Sequence, residues 1–119
     1  MKFLWVTLTA RNMEESLKFY QEIVGLPVVK RFRAEGAGEF AFLGDGETQL
    51  ELIVHPSGTE PRYGRELSIG FEVKSVEEKL KFVQEKGLTP EGPFSPNPHV
   101  SFFFVTDPSG VRVQFVENK

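Results

Sequence analysis

The chain has 119 residues, which is the size of one compact domain. It carries 14 Lys and Arg against 17 Asp and Glu, a net charge of −3, so broad electrostatic binding to nucleic acid is not expected. The absence of cysteine excludes disulfides, thiolate metal sites and cysteine nucleophiles. No apolar run is long enough for a membrane span, and no signal-peptide pattern is present, so we expect a cytoplasmic protein that does not enter a membrane.

The first predicted elements are a strand and a helix. Side chains of residues 4–9 alternate between Leu or Val and Trp or Thr, a pattern that predicts a half-buried strand. The next segment, Asn12–Glu22, reads NMEESLKFYQE and predicts a helix. Asn12 is a typical N-cap residue with Glu15 three positions later, and Gly25 can end the helix in the left-handed conformation.

Three more strands are predicted to follow this helix. Period-two alternation indicates strands at residues 28–33, 39–43 and 49–55, and the Gly44-Asp45-Gly46 turn separates the last two. Residues 57–65 lie in a stretch rich in Gly and Pro that begins at Pro56, and they are predicted to form a linker.

The second half of the chain repeats the first. Residues 75–85 read SVEEKLKFVQE, and seven of these eleven positions are identical to the first helix at an offset of 63 residues. Strands are predicted at 67–73, 100–106 and 111–116, and the proline-rich segment 90–98 is expected to form an irregular edge. The chain is therefore predicted to be one domain of two tandem βαβββ modules, residues 1–56 and 66–119.

The arrangement resembles the vicinal oxygen chelate superfamily, which includes glyoxalase I, extradiol dioxygenases, fosfomycin-resistance enzymes and bleomycin-resistance proteins. The residues that carry the resemblance are Phe19-Tyr20, Gly25-Leu26, Leu50-Glu51-Leu52 and Asp107-Pro108-Ser109-Gly110 through Phe115. The resemblance implies an α+β fold in which two βαβββ modules form half-open, barrel-like mixed sheets around a cavity. Fold alone does not assign an activity, because this superfamily includes different chemistries.

The resemblance also places four side chains where metal-using relatives carry their ligands: Trp5, Glu51, Ser68 and Gln114. The 63-residue offset relates Trp5 to Ser68 and Glu51 to Gln114. Only Glu51 is a strong ligand, because an indole has no lone pair for a cation and neutral hydroxyl or amide oxygens bind transition metals poorly. We therefore expect neither the inherited metal site nor another cofactor, with a divalent metal at Glu51 as the alternative.

The two histidines are weak candidates for rebuilding such a site. His55 follows Glu51 by four residues, which is about 13 Å along a strand, too far to share one ion unless the strand bends. His99 can approach the cavity only if the proline-rich edge folds over it. The simpler interpretation is that His55 and His99 lie at solvated ends of strands.

Glu51 is the candidate catalytic residue, as a general base or as a hydrogen-bonding anchor for a ligand. The structural alternative is an ion pair with Arg112. Trp5 provides either a flat apolar wall for a planar ligand or a plug that fills the cavity. The remaining ligand-binding candidates have small, hydroxylated or polar side chains of inward parity: Thr7, Thr9, Ser68, Gly70, Arg112 and Gln114. They favour a partly polar pocket, and partial solvation at a sheet edge is the alternative explanation of the small residues.

Three functions remain open from the sequence. The first is a metal-free protein that binds a small, planar molecule, as bleomycin-resistance proteins do. The second is a metal-dependent glyoxalase-like lyase or dioxygenase that uses Glu51 with non-standard ligands. The third is an assembly module with a filled cavity. Because many relatives complete their sites between two chains, a homodimer is expected in each case.

Overall fold

The computed structural model describes all 119 residues, which form two compact units, Met1–Arg62 and Tyr63–Lys119. The elements of the first unit are β1 (Trp5–Thr9), α1 (Met13–Lys18), a π-helical segment (Phe19–Val24), β2 (Val28–Ala34), β3 (Gly38–Leu43) and β4 (Gln49–Val54). The elements of the second unit are β5 (Ser68–Glu72), α2 (Val76–Glu85), β6 (Glu91–Asn97), β7 (Val100–Thr106) and β8 (Arg112–Asn118). None of the helices has the length and apolar character that a membrane crossing requires.

Each unit contains one open four-stranded sheet. The strand order is β1-β4-β3-β2 in the first unit and β5-β8-β7-β6 in the second. β1 and β4 are parallel, as are β5 and β8, whereas the other neighbouring strands are antiparallel. The predicted α+β fold of two βαβββ modules with half-open mixed sheets is therefore confirmed.

The strand registers of the two units repeat at the same offset as the sequence. Trp5 pairs with Gln49 and Thr7 with Glu51 in the first unit. In the second unit, 63 residues later, Ser68 pairs with Arg112 and Gly70 with Gln114. The duplication thus extends from the helices to the pairs of residues that face each other across the parallel strands.

The core of each unit lies between the sheet and its helix. In the second unit α2 contacts β7 and β8, and Phe103, Val113 and Phe115 are fully buried. Because successive side chains on a strand point to opposite faces, the alternate residues lie on the other face of the sheet. That second face carries most of the predicted site residues.

The predicted helix starts are confirmed by their capping hydrogen bonds. The Asn12 side chain accepts a hydrogen bond from the Glu15 amide at 2.9 Å, and the Ser75 hydroxyl accepts one from the Glu78 amide at 3.1 Å. These bonds satisfy amides that have no partner within the first turn of a helix.

The end of the first helix differs from the prediction. Residues Phe19–Val24 form a π-helical segment rather than a continuation of α1. Five residues lie between Phe19 and Gly25, whereas four lie between the equivalent Phe82 and Gly87. The wider π-turn accommodates the additional residue, with the Gly25 amide bonding the Tyr20 carbonyl at 3.0 Å and Gly25 at φ +94°.

The proline-rich edge is irregular, as predicted. β6 pairs with β7 through Glu91, Phe94 and Asn97, and the register shifts twice between these positions. Every residue of β6 is exposed. This strand forms one wall of an open groove in the second unit.

Candidate functional site

The open face of the first unit is the sheet face opposite α1. Trp5 and Thr7 are exposed on this face, whereas Thr9 and Glu51 are half-buried there. It also carries Lys30 and three phenylalanines, Phe32, Phe40 and Phe42. The structure therefore brings all four site candidates of the first unit to one surface.

Glu51 lies at the centre of this face. Its carboxylate Oε1 accepts a hydrogen bond from the Thr7 hydroxyl, across the parallel pair β1 and β4. On the other side of Glu51, Phe42 of β3 is its register partner. The environment of Glu51 thus combines one hydroxyl donor with an aromatic neighbour, which suits a hydrogen-bonding anchor.

Aromatic rings line the rest of the open face. Trp5 and Phe42 meet edge to face at 5.3 Å, and Phe32 and Phe40 stack at 5.0 Å. The Lys30 ammonium lies over Phe32 at 5.1 Å and over Phe42 at 5.7 Å. Trp5 remains 45% exposed, so its indole offers surface for a planar ligand.

The second unit places its site candidates on the equivalent face. Ser68 and Gly70 are exposed on β5, and Arg112 and Gln114 are half-buried on the neighbouring β8. A Cβ atom on Gly70 would lie only 3.2 Å from the Gln114 amide oxygen. The missing side chain at Gly70 therefore leaves the space that the Gln114 amide occupies.

Arg112 is the most extensively bonded of these residues. Its guanidinium donates to the Arg65 carbonyl at 3.0 Å and to Glu91 Oε1 at 3.3 Å. The guanidinium carbon lies 3.9 Å from the centre of the Phe104 ring, a close cation–π contact. The partners of Arg112 thus lie in its own unit, and Glu51 accepts its hydrogen bond from Thr7.

An open groove of about 690 Å³ lies beside Arg112 in the second unit. Its lining residues come from β6, β7 and β8: Glu91, Pro93, Phe94, Ser95, Pro96, Phe102, Phe104 and Arg112. Of these, the sequence singled out only Arg112. The alternation of Phe102 and Phe104 along β7 indicates that both rings lie on one face of the sheet. The sequence did not show which strand would lie beside β7 and complete the groove.

The strong metal-ligand donors of this chain are dispersed. Nowhere in the chain do three or more His, Asp or Glu side chains cluster as metal ligands would. His55 follows the end of β4, and His99 lies between β6 and β7. Of the four positions that the resemblance assigns to ligands, Glu51 alone has a strong donor, and it already accepts a hydrogen bond from Thr7.

Comparison with known proteins identifies relatives of two kinds. A lactoylglutathione lyase of Neisseria meningitidis is 33% identical over 132 aligned positions, which cover 100% of this chain and 92% of that protein. The trypanothione-dependent glyoxalase I of Leishmania major has a similar fold, with a TM-score of 0.86 and 22% identity over 98% of this chain and 86% of that one.

A second solved structure of similar fold is TnmS3, an antibiotic-binding protein from Streptomyces sp. CB03234. Its TM-score is 0.80, with 18% identity over 100% of this chain and 97% of that one. The family model of the Glyoxalase/Bleomycin resistance protein/Dioxygenase superfamily matches residues 2–115. The chain belongs to the Glyoxalase/Bleomycin resistance protein/Dioxygenase superfamily.

Proposed function

We propose that this chain is a binding protein of the superfamily, which holds a small, planar molecule without a divalent metal. The observation that carries the proposal is the set of side chains at the four positions where metal-using relatives carry ligands. Glu51 is a strong metal ligand, whereas Trp5, Ser68 and Gln114 are not. A lone carboxylate leaves most of the coordination sphere of a transition metal to water. Glu51 is better suited to accept hydrogen bonds from a ligand than to retain a cation.

The aromatic lining supports a planar ligand. Trp5 and Phe42 provide an apolar wall beside Glu51, and Thr7 fixes the orientation of the carboxylate. Pockets for small molecules typically combine such apolar walls with a few polar groups that set orientation. TnmS3, whose fold is similar, is an antibiotic-binding protein.

Trp5 is the only tryptophan, so its fluorescence reports binding at the open face directly. A library of planar aromatic compounds is titrated into the protein before and after dialysis against a chelator. We expect quenching by some compounds, with the same affinity and melting temperature in both preparations. A fall in affinity or melting temperature after chelation would contradict the proposal.

Matched variants test whether the planar compounds bind at the open face of the first unit. Phe42→Ala removes part of the aromatic wall and Glu51→Gln removes the charge of the anchor, so each is expected to weaken binding. Glu47→Gln makes the same chemical change at an exposed position of the same unit and should leave affinity unchanged. Equal effects of both glutamate substitutions would argue against Glu51 as the anchor.

Two further parts of the proposal concern assembly and location. A homodimer is proposed because members of the superfamily often form dimers, and sedimentation showing a monomer at micromolar concentration would rule it out. A cytoplasmic location is proposed because the chain has no cysteine for disulfides, and cell fractionation tests it.

A metal-dependent lyase is the second candidate, favoured by the 33% identity to a lactoylglutathione lyase. In this case Glu51 would act with ligands from outside the four expected positions. The test is lactoylglutathione formation by protein incubated separately with zinc, nickel, iron and manganese. Activity with any of these metals that is lost in Glu51→Gln would support the lyase, whereas no activity with all four would exclude it.

A further inference from the structure

The groove of the second unit carries its own recognition features, separate from Glu51. Three phenylalanine rings form its apolar wall: Phe94 lies 5.6 Å from Phe102 and 6.4 Å from Phe104. Phe102 and Phe104 meet edge to face at 5.7 Å. Phe94 is 42% exposed, so a large part of this aromatic surface faces solvent.

The charged residues of the groove are unevenly balanced. Glu91 Oε1 accepts hydrogen bonds from both Arg112, at 3.3 Å, and Arg65, at 3.1 Å. One carboxylate therefore neutralises only one of the two guanidinium groups that contact it. The cluster keeps one net positive charge beside an aromatic wall, and this combination favours an anionic ligand.

Arg112 also has an unused donor. Its two terminal nitrogens donate to Arg65 and Glu91, but Nε is buried and has no hydrogen-bond partner. Leaving a buried N–H unsatisfied is unfavourable, and more so on a charged group. The guanidinium charge of Arg112 is therefore only partly compensated inside the fold.

We infer that this groove binds an aromatic molecule carrying one negative charge, such as an aryl carboxylate. The ring packs against Phe94, Phe102 and Phe104, and the carboxylate lies beside Arg112. The groove volume of about 690 Å³ is that of a site for a ligand of one to three rings. The inference rests on the proposed function, to which it adds the charge and chemical class of a ligand.

The experiment compares naphthoate with naphthalenemethanol, which has the same ring system without the charge. Each compound is titrated by calorimetry into the intact protein. We expect naphthoate to bind about two- to fivefold more tightly, the ratio that one partly exposed charge interaction provides. Tighter or equal binding of the alcohol would overturn the inference and indicate a neutral ligand.

Three substitutions change the charge of the groove in known directions. Arg65→Gln and Arg112→Gln each remove the excess positive charge and should weaken naphthoate binding without weakening the alcohol. Glu91→Gln leaves two unneutralised arginines and should strengthen naphthoate binding. Because Arg65 is 76% exposed, its substitution tests the charge even if Arg112→Gln unfolds the protein. Unchanged naphthoate affinity in both Arg65→Gln and Glu91→Gln would overturn the inference.

Two controls separate this inference from the proposed function. Phe94→Ala should weaken both naphthalene compounds, whereas Arg33→Gln changes an exposed arginine of the first unit and should affect neither. If planar compounds bind in a way that depends on Phe42 and Glu51 but not on Phe94 or Arg65, the proposed function stands and this inference fails. If no planar compound binds at either place, both fail.

Discussion

The Thr7 hydroxyl donates a hydrogen bond to the Glu51 carboxylate across β1 and β4, and the equivalent pair in the second unit is Gly70 and Gln114. The duplicated backbone register therefore carries different chemistry in its two copies. One copy has an acid held by a hydroxyl, and the other has an amide beside a residue without a side chain. The open face of the first unit therefore has a carboxylate as its anchor, whereas the charged groups at the groove of the second unit are Arg112, Arg65 and Glu91.

Removing the Thr7 hydroxyl is expected to weaken ligand binding at the first unit. Thr7→Val keeps the size and branching of the side chain but frees the Glu51 carboxylate from its fixed orientation. Fluorescence titration of Trp5 should show weaker binding, while the free energy of unfolding falls by about 1 kcal/mol or less, the net value of one hydrogen bond. Thr48→Val, which removes a hydroxyl bonded to the Phe3 carbonyl, is the matched control. Equal loss of binding in both variants would contradict the role of Thr7.

Ser16→Ala is expected to stabilise the protein. Ser16 is fully buried in α1, and its hydroxyl has no hydrogen-bond partner. Removing that group should raise the free energy of unfolding by about 1 kcal/mol, because an unsatisfied buried hydroxyl is costly and alanine has the higher helix propensity. Urea denaturation measures the change. Ser75→Ala removes a helix cap and should lower the free energy of unfolding by about 1 kcal/mol. A change of the same sign in both variants would contradict the prediction.

Asp107→Ala is expected to be strongly destabilising. Asp107 is 5% exposed, and its Oδ1 accepts hydrogen bonds from the Ser109 and Val111 amides at 2.8 and 2.9 Å. Its removal leaves two backbone amides without this acceptor, so the free energy of unfolding should fall by about 2–3 kcal/mol. Asp45→Ala, at an exposed turn of the first unit, should cost much less in the same urea experiment. Similar losses in both variants would count against the structural role of Asp107.

Lys79 is expected to lose its proton at lower pH than an ordinary lysine side chain. Burial lowers the pKa of Lys79, whose ammonium lies over Phe82 at 4.7 Å and Phe115 at 5.0 Å. A lowered pKa means a larger uncharged fraction, so the rate of acylation should reach half its maximum at lower pH than in an N-acetyl-lysine amide added to the same solution. Peptide mapping after labelling across a pH series gives the midpoint for Lys79. A midpoint at or above that of the reference compound would contradict the pKa shift.

The same shift makes a prediction about stability. The folded state disfavours the charged form of Lys79, so the unfolded chain binds more protons between the folded and unfolded pKa values. The cost of burying the charged ammonium therefore falls, and the free energy of unfolding rises, as the pH rises through that interval. In Lys79→Met this part of the pH dependence should disappear in urea titrations performed at several pH values.

The sequence was sufficient to locate the repeat, the helix caps and most of the strands. Asn12 and Ser75 cap their helices through local hydrogen bonds, which depend on neighbouring residues only. The alternation of residues 4–9 located the open face, because strand geometry fixes which side chains share a surface. The π-helical segment was missed because its cause is one extra residue before Gly25, and the composition of the segment gives no sign of it.

The site was only partly predictable. Glu51 and Arg112 were recognisable as polar residues on apolar strands, but their partners depend on which strands become neighbours. Glu91 meets Arg112 only because β6 and β8 both flank β7, and β6 was the strand with the weakest pattern. Tertiary pairing of this kind cannot be deduced from a period or a motif in one chain.

The affinity of the purified protein for divalent metals tests the central claim most directly. The untagged protein is incubated with zinc, nickel, iron and manganese, passed through a desalting column, and its metal content is measured per chain. Far less than one equivalent of every metal is the predicted result. One equivalent of any of them, lost in Glu51→Gln, would contradict the claim that this carboxylate serves to anchor an organic ligand.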